Sequence, residues 1–177
     1  MARRRRKAKS ETVEWVQSIV IAVILALLIR GFVFETILVD GESMLPTLNN
    51  ADRLVVNKIS HKINGIERGD IIIFKYPDNE NEHFVKRVIA CGGDVVKIQD
   101  GRVYVNGQQL NEPYVLEETD DDFPESTVPE DTVFVLGDNR GNSRDSRDPR
   151  VGFVPVENII GKPWARIWPL KDMKLLN

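Results

Sequence analysis

Three separated stretches of this chain carry residues whose types and spacing could do chemistry. They are Gly41-Glu42-Ser43-Met44-Leu45-Pro46-Thr47, Phe84-Val85-Lys86-Arg87-Val88 and the eleven residues from Gly137 to Arg147. Pro46 and Gly41 mark a turn around Ser43, a setting that can expose a hydroxyl. A serine hydroxyl becomes a useful nucleophile only when a neighbouring base removes its proton. Lys86 is the candidate base. If residues 83–90 form a strand, Phe84, Lys86, Val88 and Ala90 share one face, and apolar neighbours there disfavour the ammonium form. Bringing a lysine from near 10.4 to around 7 or 8 costs roughly 3 to 5 kcal/mol, which a well-packed site can supply. Arg87 falls on the opposite face and keeps its proton, so an ion-pair or backbone-anchor role suits it.

Taken singly, Lys86 reads better as a strand lysine whose tip reaches water, and Ser43 as a turn residue. The third stretch reverses that balance. Asp138, Asn139, Arg140, Ser143, Asp145, Ser146 and Arg147 fall within one run, a mixture suited to a buried hydrogen-bond network. A Ser-His-Asp triad remains open on composition. However, His61 falls in a polar loop and His83 just before the apolar run, and both read as ordinary surface or strand-end residues. The Ser-x-x-Lys arrangement is absent, because Pro46 stands three positions after Ser43.

The elements that must position these groups follow an apolar segment. Residues 13–34, VEWVQSIVIAVILALLIRGFVF, supply roughly 20 residues that can cross a bilayer as a helix, with Glu14 and Arg30 near its ends and Trp15 suited to the interface. A cleaved secretory signal would end in a small-x-small motif, and none follows Ile29. A buried helix of a soluble protein would keep a polar face, and this segment is apolar all round. Six positive charges among the first nine residues leave about −9 on the remainder of a chain whose net charge is −3. Such an arm could bind nucleic acid, but it leads directly into the apolar segment. The positive-inside rule then places residues 1–12 in the cytoplasm and the body outside it. Cys91, the single cysteine, excludes an intramolecular disulfide and reads as a small half-buried residue beside Gly92-Gly93.

Beyond the anchor, short β-type runs alternate with turn signals at 36–39, 53–57, 70–75, 83–90, 95–99, 102–105, 132–136 and 164–168. Asp100-Gly101 and Asn106-Gly107 signal type I′ hairpins, so 95–110 reads as a meander. No long stretch beyond the anchor shows helical periodicity, and no internal repeat is present. Residues 111–130 are acidic, through Glu117, Glu118, Asp120, Asp121, Asp122 and Glu125, and are broken by Pro113, Pro124 and Pro129. They read as a solvated loop rather than a metal site, since the regularly spaced oxygen ligands and glycine turn of a calcium loop are missing.

Together the basic tail, the anchor, the Ser-Met-x-Pro-Thr box, the Lys-Arg box followed by Gly93-Asp94, and Gly-Asp-Asn-Arg-x-x-Ser-x-Asp-Ser-Arg resemble a bacterial type I signal peptidase of the compact form common in Gram-positive bacteria. The likeness spans essentially the whole chain. It implies a mainly β fold: a basic cytoplasmic tail over 1–12, one transmembrane helix over 13–34, and an extracytoplasmic catalytic domain over 35–177 with a β-meander subdomain inserted at about 95–131. It further implies Ser43 as nucleophile, Lys86 as general base, Ser143 orienting the amine, an Asp145–Arg147 supporting pair, and the Ser43 N–H in the oxyanion hole. Gly41 stands where some members carry a serine that supplies a second donor, leaving backbone or water for that role. Cys91-Gly92 replaces the Leu-Pro common after the Lys-Arg box. Ile37, Val39, Phe84 and Val85 are the expected lining of shallow pockets for small residues at −1 and −3.

By the same resemblance, the substrate is a secretory preprotein emerging from the translocon, the other partner is the bilayer, and neither metal nor organic cofactor is required. A monomer without nucleic-acid binding is expected. Two competing functions stay open: a self-cleaving Ser/Lys repressor of the SOS-response type, and a catalytically silent anchored binding protein.

Overall fold

The computed structural model describes residues 11–117, 119 and 121–176. Residues 1–10 of the basic tail, Glu118 and Asp120 therefore lie outside the described residues, as does the Arg30 side chain; residues 11 and 12, read as tail, begin the first helix. Helix α1, Glu11–Val33, is 23 residues long. At 1.5 Å per residue that is about 35 Å, enough to cover a hydrocarbon core of about 30 Å. Apolar side chains such as Trp15, Val16, Ile19, Ile24 and Leu27 are exposed around it, in line with the absence of a polar face. At its C-terminal end the Lys58 ammonium donates to the Gly31 carbonyl at 3.1 Å, where a cation suits the helix dipole.

The body is built from strands β1 (Phe34–Leu38), β2 (Arg53–Asn57), β3 (Ile71–Tyr76), β4 (Asn79–Cys91), β5 (Val95–Gln99), β6 (Arg102–Val105), β7 (Gln108–Gln109), β8 (Phe123–Thr127), β9 (Thr132–Leu136), β10 (Val154–Pro155), β11 (Ile159–Trp168) and β12 (Lys174–Leu175). The larger sheet runs β1-β2-β11-β3-β4-β9-β10, with β12 added on β11, and the smaller runs β7-β6-β5-β8. Every pairing is antiparallel, so the alternating apolar pattern can bury one face of each strand.

Both hairpin turns form as expected. Asp100 and Gly101 have φ of 50° and 76°, and Asn106 and Gly107 of 52° and 76°, the left-handed pair that Asx-Gly sequences favour. The smaller sheet shares its core with the larger one. Ile89, Ala90 and Phe134 pack with Val96, Ile98 and Val103, so the smaller sheet is joined to β4 and β9 by common burial.

Three expectations need correction. The end of the acidic segment is strand β8, which pairs with β5 at Val95↔Thr127, Val96↔Ser126 and Ile98↔Phe123. Phe123 packs on Phe134 at 4.8 Å, and Pro124 is tolerated because β8 is an edge strand. Ala90 does not share the Lys86 face. A bulge between Val88 and Ala90 hands Ala90 to the core shared with the insert, while Val88 stays with Ile72 and Phe74. Finally, His61 lies not in a loop but buried on a five-residue helix α2, Ser60–Asn64.

Candidate active site

Ser43 sits in a loop that leaves the sheet after β1 and returns at β2. Its ends are tied by Val39 N–H to the Asp52 carbonyl at 2.8 Å and Ala51 N–H to the Val39 carbonyl at 2.9 Å. Met44 and Leu48 bury themselves in the core below, which leaves Ser43 half-buried at the lip of a cleft. Gly41 opens the turn with φ of 99°, where an L side chain is strained although a Cβ there would meet nothing within 4 Å. That explains glycine at this position: the backbone, rather than crowding, excludes a serine. Its N–H is spent on Asn50 Oδ1 at 3.0 Å. The Ser43 N–H has no acceptor among the described residues and is free to meet an oxyanion.

Lys86 projects from β4, opposite Ile72 of β3 in the register. It is 4 % exposed. Its Nζ lies 2.8 Å from Ser43 Oγ and donates to the Val85 carbonyl at 3.0 Å, with the Phe84 ring centroid 5.1 Å away. Burial pushes its pKa from 10.5 down to about 8, against the weaker opposing pull of Asp145 and Asp138. The reason the carboxylates lose is visible in their partners. Asp145 is held by Arg147 through Nε to Oδ1 at 2.8 Å and Nη2 to Oδ2 at 2.9 Å. Asp138 is held by Arg87 through Nε to Oδ1 at 2.8 Å and Nη2 to Oδ2 at 2.6 Å. Each negative charge is largely neutralised by a bidentate guanidinium, so each stabilises the ammonium only weakly.

The polar loop is folded by its own donors. Asp145 Oδ2 accepts from the Gly137 N–H at 3.0 Å, Arg140 Nε donates to the Gly137 carbonyl at 3.0 Å, and the Ser146 hydroxyl accepts from the Val135 N–H at 2.9 Å. Asn139 N–H reaches across to the Ser43 carbonyl at 3.0 Å, which couples the polar loop directly to the Ser43 turn. Gly137 must be glycine for packing: a Cβ there would come within 2.5 Å of the Ser43 carbonyl oxygen and collide with the Ser143 hydroxyl.

The structure brings the nine sequence-derived site residues together with one difference. Ile37, Val39, Phe84 and Val85 line, with Ser43 and Lys86, a cleft of about 380 Å³. The Asp145–Arg147 pair is formed. Ser143 lies against Gly137, but its buried hydroxyl has no hydrogen-bond partner among the described residues and is not hydrogen-bonded to the amine. Neither histidine engages Ser43. His83 is exposed on the rim of the cleft, and His61 is a buried residue of α2 whose pKa is pushed down by burial and then by Lys62 and Lys162. Cys91 is half-buried, and burial raises its thiol pKa.

Other supports have partners that the sequence does not mark. Thr47 donates to Asp138 Oδ2 at 2.5 Å, and the buried Arg166–Asp52 pair, 2.7 Å, ties β11 to the Ser43 loop. Glu112 binds Arg140 at 2.6 Å. Their partners lie 28 to 114 residues away, so no local spacing marks them.

An amine that can be neutral near pH 8, in contact with a serine hydroxyl at the lip of an apolar cleft, can take the hydroxyl proton as the oxygen attacks a carbonyl. The comparisons with known proteins give the family. Residues 12–168 match the family described as signal peptidase, peptidase S26. Signal peptidase I S of Bacillus subtilis (strain 168) is 38% identical over 180 residues, covering 96% of each chain. Signal peptidase I of Leptolyngbya laminosa is 44% identical over 174 residues, covering 94% of this chain and 85% of that one. A crystal structure of a signal peptidase I from Enterococcus faecalis V583 superposes with a TM-score of 0.50 at 37% identity, over 55% of this chain and 95% of that chain. This chain therefore belongs to the signal peptidase S26 family and is a serine peptidase.

Proposed function

We propose that this peptidase removes N-terminal signal peptides from secretory preproteins through a Ser43/Lys86 dyad, cutting after small residues at −1 and −3. The observation that carries the reading is the 2.8 Å contact between Ser43 Oγ and a buried Lys86 amine whose pKa lies near 8. Ser43 attacks the scissile carbonyl while neutral Lys86 takes its proton. The oxyanion meets the Ser43 N–H. Lys86 then returns the proton to the departing amine, which is the mature chain's new N-terminus, and an acyl-enzyme on Ser43 remains. A water deprotonated by the same amine releases the signal peptide as a carboxylate.

Each support has a stated part. The Asp145–Arg147 pair props Gly137, against which Ser143 packs. Ile37, Val39, Phe84 and Val85 shape a shallow apolar floor suited to small side chains, and the free edge of β1 can accept an extended peptide as an added strand. Helix α1 anchors the enzyme in the membrane, with the basic tail cytoplasmic and the catalytic body outside, so that the site meets cleavage regions at the bilayer surface. Detergent-solubilised full-length protein incubated with a purified preprotein tests this. Processing is expected in the wild type and absent in Ser43→Ala and Lys86→Ala; cleavage by either variant at the wild-type rate refutes the dyad.

A further inference from the structure

Arg87 and Arg140 lie within the supports of the site, and each is gripped from its far side by the inserted subdomain. Arg87 directly follows Lys86. Its guanidinium binds Asp138, donates to the Gly69 carbonyl at 2.9 Å, approaches Thr47 Oγ1 at 3.4 Å, and stacks 3.9 Å from the Tyr114 ring centroid. Arg140 holds the Gly137 carbonyl and sends Nη1 and Nη2 to Glu112 Oε2 and Oε1 at 3.1 and 2.6 Å. The Tyr114 hydroxyl donates to Glu112 Oε1 at 2.9 Å, closing the circuit.

Building on the Ser43/Lys86 reading, the geometry points to Glu112 and Tyr114 as positioning residues for catalysis. Through two arginines they set the lysine strand, the nucleophile turn and the Gly137 loop against one another. Segment 112–114 belongs to no regular element, and its polar side chains face these two arginines. Thr47 lies four residues after Ser43, and Gly137 backs onto the Ser43 carbonyl and Ser143. All three catalytic stretches thus end on one small tripeptide.

A buried carboxylate–guanidinium pair contributes little net stability compared with apolar side chains of the same volume, because both charges must be desolvated. What such a bidentate pair does supply is a fixed angle and distance. The aromatic face does the same for Arg87, restricting a long side chain to one plane. A shift of the order of 1 Å between nucleophile and base is enough to cost about a hundredfold in rate. The inserted subdomain therefore acts on the chemistry from outside the cleft, without touching substrate.

The test uses full-length protein in detergent with a purified preprotein, reporting kcat per folded molecule, with the folded fraction taken from urea titrations, alongside KM. Glu112→Ala and Tyr114→Leu should each lower kcat by about 10- to 100-fold with KM within about twofold. Glu112→Gln, which keeps an oxygen for Arg140, and Tyr114→Phe, which keeps the ring under Arg87, should recover most of that loss. Glu125→Gln, an exposed carboxylate of the same subdomain, should match the wild type. Wild-type kcat per folded molecule in Glu112→Ala or Tyr114→Leu overturns the proposal, as does a loss confined to KM. Should Glu112→Ala fail to fold, the Tyr114→Leu and Tyr114→Phe pair decides: equal activity in the two refutes a role for the ring. Ser43→Ala run in parallel separates the two claims, since its activity bears on the dyad alone.

Discussion

Replacing Lys86 by methionine should make the protein more stable at neutral pH while destroying its activity. Methionine nearly conserves the volume and removes only the buried titrating amine. The folded-state pKa of about 8 lies below the unfolded value of 10.5, so between these values the unfolded chain binds a proton that the folded chain lacks. Wild-type stability therefore rises with pH across that window. A tenfold change in proton affinity is worth about 1.36 kcal/mol, so the buried amine costs the fold about 3 kcal/mol at pH 7 and about 1 kcal/mol at pH 10. The two hydrogen bonds made by Nζ, worth about 1 kcal/mol each, oppose the gain from substitution but vary little with pH. The change of the difference with pH is thus cleaner than the difference itself. Urea titrations of both proteins in the same detergent at pH 7 and pH 10 should show the advantage of Lys86→Met shrinking by about 2 to 3 kcal/mol. Other groups titrate alike in the two proteins and cancel. A difference that stays constant between these pH values refutes the reasoning, because the amine would then titrate as it does in the unfolded chain.

Preprotein cleavage at limiting substrate should rise on an alkaline limb with a midpoint near 8, gaining about fivefold from pH 7 to pH 8, and the limb should persist in a His61→Asn/His83→Ala protein; its loss there would favour a histidine base. Arg87→Lys keeps the charge but loses the bidentate grip on Asp138 and the stacking on Tyr114. A loss of at least about tenfold in kcat is expected, read from the same cleavage assay, and wild-type turnover would contradict the network. Gly137→Ala drives a methyl group into the Ser143 hydroxyl and the Ser43 carbonyl. It should lower stability by about 1 to 3 kcal/mol in urea titrations and abolish cleavage, whereas tolerance of alanine would mean that the loop and the nucleophile turn are not packed together.

Much of the frame is legible in residue order because its signals are local. Strands β2, β5, β6 and β9 have the bounds that their alternating patterns and Asx-Gly turns imply. The apolar segment ends in the sequence one residue after α1 does. Ser43, Lys86 and the Gly137–Arg147 run are recognisable by type, and the fold joins them through a contact spanning 43 positions. What is not legible is long-range. The bulge at Val88/Ala90 depends on how β9 pairs, and β8 exists because Phe123 and Val128 find a core made by residues far away, although acidic neighbours disguise them. Glu112 reads as one more acid in a charged stretch. Only the arrival of Arg140 distinguishes it. Ser143 is the reverse case: its place beside Gly137 follows from the motif, but the motif does not reveal that its hydroxyl is left without a hydrogen bond to the amine.

The most direct measurement is the titration of the Lys86 amine itself, followed by the ¹³Cε shift of labelled lysine in the full-length protein in micelles and assigned by comparison with Lys86→Met. A single midpoint near 8, well separated from the other lysines, is the result expected of an amine held dry against Ser43. A midpoint at the ordinary lysine value would leave position 86 charged throughout the physiological range, and with it no base for the serine.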